Sequence, residues 1–445
     1  MAEIRPFHAL HFNAAKINDL STVITQPYDK ISPAMQARYY GLSPFNLVHV
    51  IRGRESPGDN PDDNVYTRAT NDFQSWIRDN VLVTEGEPAI YPYFQKYSVP
   101  GHAEVLKERR GFIALCRLEP YSAQVVHRHE ETLSGPKADR MELLRRTKAH
   151  FGQIFFLYSD PEGEIEATLS GATRRDPWQQ LKDEYGTLHS VWRFSERSTL
   201  DRVVAGMRDK KLIIADGHHR YETALAYRDL RRTEGNADDR VDYVMATFVR
   251  METSGLTILP THRVVHSLPG FDWNAFAANS KDIFSWEMLR ESPASEKGVA
   301  ALEQKLATAG EKRHAIAAYA GAGKLAVLSL KPDFDLASAL PSLSEAQRRL
   351  DVIILHRLLI EGALGISSEA VREEKNLHYV REAGEAIAAV NSGKAQVCFL
   401  MNPTPIESVR DVAFAGQVMP QKSTDFYPKL LSGFTIYWLE NPQGI

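Results

Sequence analysis

Cysteine is almost absent: Cys116 and Cys398 are the only two in 445 residues. That is too few for a disulfide framework or a thiolate metal site. Long apolar runs are missing too, the longest being strand-sized and far short of the roughly 20 residues a membrane helix needs. The opening residues Met-Ala-Glu-Ile-Arg-Pro-Phe-His lack the charged-then-apolar layout of a signal peptide, so a cytoplasmic location is expected. Neither sign of charge dominates. A net charge of −4 and a pI near 6.4 leave no global basic field, and nucleic acid is not an expected partner. No internal repeat or low-complexity segment is visible. What remains is an ordinary globular composition, 43% apolar and 25% charged, on a chain long enough for two or three domains.

Histidine is unevenly spread. Eight of the 15 histidines, at 127, 129, 150, 189, 218, 219, 262 and 266, fall in under a third of the chain. Inside that stretch, Leu212 to Ala215 reads as a short buried strand and Asp216-Gly217 as a turn. Tyr221, Ala224 and Leu225 then follow at the spacing of one helical face. Two histidines, an arginine and an aspartate are thus crowded where a strand hands over to a helix. The first amides of a helix lack internal partners and carry partial positive charge, so anions collect there. Arg220 would fork onto phosphate oxygens, while Gly217, His218, His219 and the helix amides would cradle them. Asp216 would hold a Mg²⁺ ion or orient the loop. The bland alternative is that the histidines only cap amides and Asp216 makes a local turn.

Along the rest of the chain, Asp29 either caps a helix beginning near Ser32 or serves as a functional carboxylate. Leu47 to Ile51 reads as a strand, Tyr66 to Trp76 as an amphipathic helix, and Ala89 to Tyr97 and Arg110 to Leu118 as strands. His127 and His129, with Glu130 or Glu131, supply metal-ligand side chains, and Asp216 would be a third ligand. Ser134 reads as a helix N-cap, with Lys137 and Arg140 near that helix start as candidate phosphate contacts. Val241 to Val249 and Leu256 to Val265 read as paired strands of a hairpin, bringing Thr261-His262-Arg263 toward the loop. From Leu268 the character changes, so residues 1–267 are expected to form the nucleotide-binding region and 268–445 an accessory α/β region. Ala320-Gly321-Ala322-Gly323-Lys324 has the wrong spacing for a nucleoside-triphosphate loop and reads as a hairpin turn. The polar, proline-bracketed segment 416–429 has no simple core explanation.

Taken together, PYDKIS, HRHEETLSGPKADR, ADGHHRYETAL, LPTHR and MPQKSTDFYPK resemble the bacterial domain-of-unknown-function family numbered 1015, from about residue 4 to about residue 435. Its Asp-Gly-His-His-Arg loop is similar to that of the ParB/sulfiredoxin-like superfamily, which includes kinases of free serine. The resemblance implies an α+β (mixed α/β) fold with a ParB/sulfiredoxin-like nucleotide-binding core and an additional C-terminal α/β domain. It also implies phosphoryl transfer from ATP or ADP with Mg²⁺ to a small hydroxylated metabolite, with a link to serine metabolism. Asp216 and His218 would act at the phosphates, and Glu130 or Asp29 would accept the hydroxyl proton; Lys137, Arg140, His262 and Arg263 would add phosphate contacts. The loop lacks the sulfiredoxin cysteine, and no helix-turn-helix is visible. Two other readings stand beside it: a phosphoester hydrolase with a metal among His127, His129, Asp216, His218 and His219, and a nucleotide sensor without turnover. The expected partners are a nucleotide and a small metabolite, and a homo-oligomer is left open.

Overall fold

The apolar run ahead of Asp216 is buried at every residue from Leu212 to Ala215, as a strand covered on both faces must be. The computed structural model describes residues 1–444 apart from 132–134, 236–237, 291–292 and 294. The Ser134 cap therefore lies outside the described residues. The chain divides into two units, the first made of residues 1–128, 132–257 and 428–445, the second of 129–131 and 258–427. This division runs between 257 and 258, and residues 428–445 belong with the first unit.

The first unit is built on a nine-stranded mixed sheet. Its strands are β1 (Ile4–Arg5), β2 (Tyr91–Val99), β3 (His102–Arg117), β4 (Val126–His127), β5 (Ile154–Tyr158), β6 (Gln179–Lys182), β7 (Leu188–Val191), β8 (Leu212–Asp216) and β9 (Tyr243–Arg250). They run in the order β4-β8-β5-β9-β3-β2-β7-β6, with β1 paired to β3. β8 is parallel to β4 and antiparallel to β5, while β9 is parallel to β5 and antiparallel to β3. Two helices matter for the site: α1 (Gly135–Thr147) and α2 (His218–Thr233), which leaves β8 through Gly217. Tyr221 and Ala224 of α2 pack into the core with Phe156 of β5 and Phe248 of β9, and partly buried Leu225 packs against them.

The second unit carries a six-stranded sheet of β10 (His262–Val265), β11 (Phe284–Met288), β12 (Ala315–Tyr319), β13 (Leu325–Leu330), β14 (Leu377–Val380) and β15 (Val397–Met401), in the order β11-β13-β12-β15-β10-β14. β12 and β13 are antiparallel, and Ala320 N–H donates to Lys324 O at 2.9 Å across the tight turn between them. The Gly321–Lys324 stretch is therefore the hairpin turn its spacing indicates.

Two expectations are corrected. Leu47–Ile51 is not a strand: Val48–Ile51 is a helical turn, and the Asn46 side chain accepts from Val48 N–H at 3.0 Å. Turn chemistry settles a short apolar run whose pattern alone is ambiguous. The hairpin of Val241–Val249 with Leu256–Val265 does not form either. β9 pairs with β3 and β5, whereas β10 pairs with β14 and β15 in the second unit.

Candidate functional site

The last strand residue before the loop is displaced by a bulge. Ile214 stands opposite Phe156 and Asp216 opposite Phe155, leaving Ala215 as the extra residue. A bulge bends the strand and re-aims the side chain that follows, here the Asp216 carboxylate. Gly217 then takes φ +94°, and a Cβ there would meet the Arg220 guanidinium at 3.2 Å. Glycine is required twice over, for the backbone angle and for the close approach of Arg220.

Arg220 Nη2 donates to Asp216 Oδ2 at 2.5 Å, and Arg220 Nη1 donates to Gln153 O at 2.5 Å. The other Asp216 oxygen accepts from Lys429 Nζ at 3.1 Å. Burial pushes the Asp216 carboxyl up, but the charges of Lys429, Arg220 and Lys30 and the Lys429 hydrogen bond outweigh it, holding its pKa well below the usual range. Side-chain exposure is only 22% for Asp216, 14% for Arg220 and 11% for Lys429, so these charges feel one another through little water. Three cations around one carboxylate leave the cluster positive. A magnesium ion does not fit this donor set, because both Asp216 oxygens already face cations.

Beside Arg220 lies a small cleft lined by Tyr28, Arg140, Gly152 and Ser432. The Arg140 guanidinium sits 4.0 Å from the centre of the Tyr28 ring and donates to Ile51 O at 3.0 Å and to Asp139. Lys137 pairs with Glu222 of α2. Asp29 is exposed on the single 3₁₀ turn Tyr28–Lys30, and the cap of the following helix is Ser32, which accepts from Met35 N–H at 3.2 Å. His218 and His219 are half-buried in the first turn of α2.

The remaining candidates have other surroundings. His127 is buried, with Nε2 3.1 Å from Gln124 O. His129, Glu130, His262 and Arg263 belong to the second unit. There His129 Nε2 lies 2.8 Å from Thr424 Oγ1, and Glu130 accepts from the Lys422 amide. His262 Nδ1 accepts from Met401 N–H at 3.1 Å. Arg263 is 1% exposed and donates to Thr261 O and, at 3.1 Å, to Lys422 O. His262 and Arg263 are therefore engaged in their own sheet, because β10 pairs there rather than with β9. Among the described residues, no group of three or more His, Cys, Asp or Glu side chains is placed to hold a metal ion. Lys30 and Lys429 were not among the expected site residues. Lys30 follows Asp29 directly in PYDKIS, and Lys429 closes the polar, proline-bracketed segment 416–429.

A family model described as "Protein of unknown function (DUF1015)" matches residues 4–353. The chain belongs to that family. Among curated proteins, none matches. Solved structures with some likeness include a conserved hypothetical protein from Pyrococcus furiosus, 12% identical with a TM-score of 0.33, covering 71% of this chain and 90% of that one. Another is a free serine kinase in complex with AMP, 13% identical, TM-score 0.34, covering 71% and 86%. A third is SbnI with a C-terminal truncation from Staphylococcus aureus, 11% identical, TM-score 0.36, covering 74% and 90%. Scores this low decide neither fold nor function. For this family member the site's own geometry has to carry the functional reading.

Proposed function

We propose that the first unit binds the phosphates of ATP or ADP at the Asp216–Arg220 loop and transfers a phosphoryl group to a small hydroxylated metabolite. The observation that carries this reading is the contact of Arg220 and Lys429 with the two oxygens of the Asp216 carboxylate at a helix start, with the charge of Lys30 also acting on it. Phosphoryl transfer asks mainly for positioning and charge neutralisation. Arg220 and Lys429 would neutralise phosphate oxygens, and the first amides of α2 with His218 and His219 would cradle them. Arg140 and Lys137 would extend the positive rim from α1. Asp216 holds Arg220 and Lys429 in place; its depressed pKa makes it a poor proton acceptor.

In the transfer itself, the bond from the terminal phosphorus to its bridging oxygen breaks and one to the metabolite hydroxyl forms. The hydroxyl proton passes to a carboxylate, and Asp29, exposed on the same segment as Lys30, is our assignment for that base. Free serine as acceptor and the ParB/sulfiredoxin-like type of the loop rest on the sequence resemblance. The test is phosphorus NMR of the protein with serine, Mg²⁺ and ATP or ADP. Phosphoserine is the expected product. Nucleotide binding without phosphoserine would remove serine as the acceptor, and absence of any nucleotide binding would remove the reading altogether.

A further inference from the structure

A buried polar network links the two segments that bring lysines to Asp216. Tyr93, Gln95, Arg109 and His189 are each no more than 2% exposed, and the Asp183 side chain is 3% exposed. Leu431 N–H donates to Tyr93 Oη at 3.3 Å, Tyr93 Oη lies 2.7 Å from His189 Nδ1, and His189 Nε2 lies 3.2 Å from Asp183 Oδ2. The same carboxylate oxygen accepts from Gln26 Nε2 at 3.2 Å. One set of hydrogen positions satisfies the whole row. The carboxylate needs a proton on His189 Nε2, so Nδ1 accepts from the Tyr93 hydroxyl, whose oxygen is left to accept from Leu431. His189 is then neutral, in keeping with the fall in its pKa that burial causes despite Asp183.

Gln95 runs alongside. Its Oε1 accepts from Arg109 Nε at 2.9 Å, which fixes the amide so that Nε2 donates to Lys429 O at 2.9 Å. Arg109 also donates to Pro428 O. The backbone is thus gripped at 428, 429 and 431, around Lys429, whose side chain reaches Asp216. At the other end of the row, Gln26 opens the segment that carries Lys30.

We propose that Asp183, His189, Tyr93, Gln95 and Arg109 are positioning residues that set where Lys429 and the segment carrying Lys30 stand against Asp216, and so set the site's affinity for diphosphate. This rests on the phosphate-binding reading above. A network that only stabilised the fold would change melting temperature and leave the affinity of the folded protein alone.

The experiment is a double-mutant cycle on the full chain, read as calorimetric affinity for inorganic diphosphate well below the melting temperature. Tyr93→Phe is expected to weaken binding about tenfold, as for loss of one charge-assisted contact, yet to add nothing in a Lys429→Ala background. Gln26→Met is expected to behave likewise against Lys30→Ala. Should Tyr93→Phe not fold, Gln95→Glu carries the test: it keeps an acceptor for Arg109 and loses the donor to Lys429 O. Wild-type affinity in these folded variants, or effects that simply add to Lys429→Ala, would overturn the positioning role alone. No saturable diphosphate or ADP binding by the wild type would overturn the phosphate reading and this inference with it.

Discussion

Lys429 Nζ lies 3.1 Å from Asp216 Oδ1 although 213 positions separate them in the chain. The loop between strand and helix is therefore incomplete without the last stretch of sequence, which belongs to the first unit. Lys429→Ala would remove a cation that is 11% exposed, where a charge contact is screened less than at the surface. Nucleotide affinity should fall by about tenfold or more, and Lys429→Arg should restore part of it. Titration calorimetry with ADP decides; equal affinity in Lys429→Ala and wild type would take Lys429 out of the site.

Gly217→Ala should be costly for two separable reasons. At φ +94° an L-residue is strained, and its Cβ would press on the Arg220 guanidinium at 3.2 Å. The backbone part is about 1–2 kcal/mol, read from the shift in melting temperature. Displacement of Arg220 should also weaken nucleotide binding in the protein that remains folded. Gly41, at an ordinary helical angle with open space around its Cβ position, is the control: Gly41→Ala should not destabilise.

The strand, turn and helix around Asp216 were legible because each has a local cause: an apolar run, a glycine and a 3.6-residue spacing. The partners of Asp216 were not, because Lys30 and Lys429 arrive by tertiary pairing that no local pattern records. The same limit explains the misplaced hairpin. β9 and β10 are both apolar and close in sequence, but the partner each strand takes depends on distant strands at 102–117, 154–158, 377–380 and 397–401. Arg109 was invisible for a different reason. An arginine in the charged run Lys107-Glu108-Arg109-Arg110 looks like part of a solvated face, yet strand alternation turns it inward, where its guanidinium lies 4.7 Å from the Phe155 ring centre.

Acid should destabilise the protein in two stages. Burial lowers the pKa of His262 to about 3 and that of His356 well below the histidine value. Both are neutral in the fold and bind protons when unfolded, so their contribution is complete above about pH 6.5 and is lost as pH falls toward the folded values. Each costs about 1.4 kcal/mol per pH unit in that window. Asp216 is also depressed, so its contribution is complete above the unfolded aspartate value of about 4 and fades below it. Urea midpoints measured from pH 8 to pH 3 should fall from about pH 6.5 downward. His262→Asn, which keeps an acceptor for Met401 N–H, should flatten the upper stage, and Asp216→Asn only the lower one. A midpoint independent of pH between 7 and 5 would contradict the buried neutral histidines.

In the second unit, Arg263 and Glu130 hold the backbone of Lys422 through the peptide groups on its two sides. Glu130 accepts from the Lys422 amide, Arg263 Nη2 donates to Lys422 O at 3.1 Å, and Lys422 itself sits at φ +58°. Arg263 Nε also lies 3.3 Å from His356 Nε2, so the guanidinium serves three acceptors inside the protein. Arg263→Ala should leave them unsatisfied at a cost of about 3 kcal/mol, and Arg263→Lys should recover little because an ammonium cannot fork in the same way. Lys422→Gly relieves the left-handed strain and should stabilise by up to about 1 kcal/mol. In the Arg263→Ala background the gain from Lys422→Gly should shrink, because the peptide is no longer held in that conformation. Urea unfolding of the four proteins measures the coupling; an Arg263→Ala loss under about 0.5 kcal/mol would mean that solvent or a rearranged chain replaces the guanidinium.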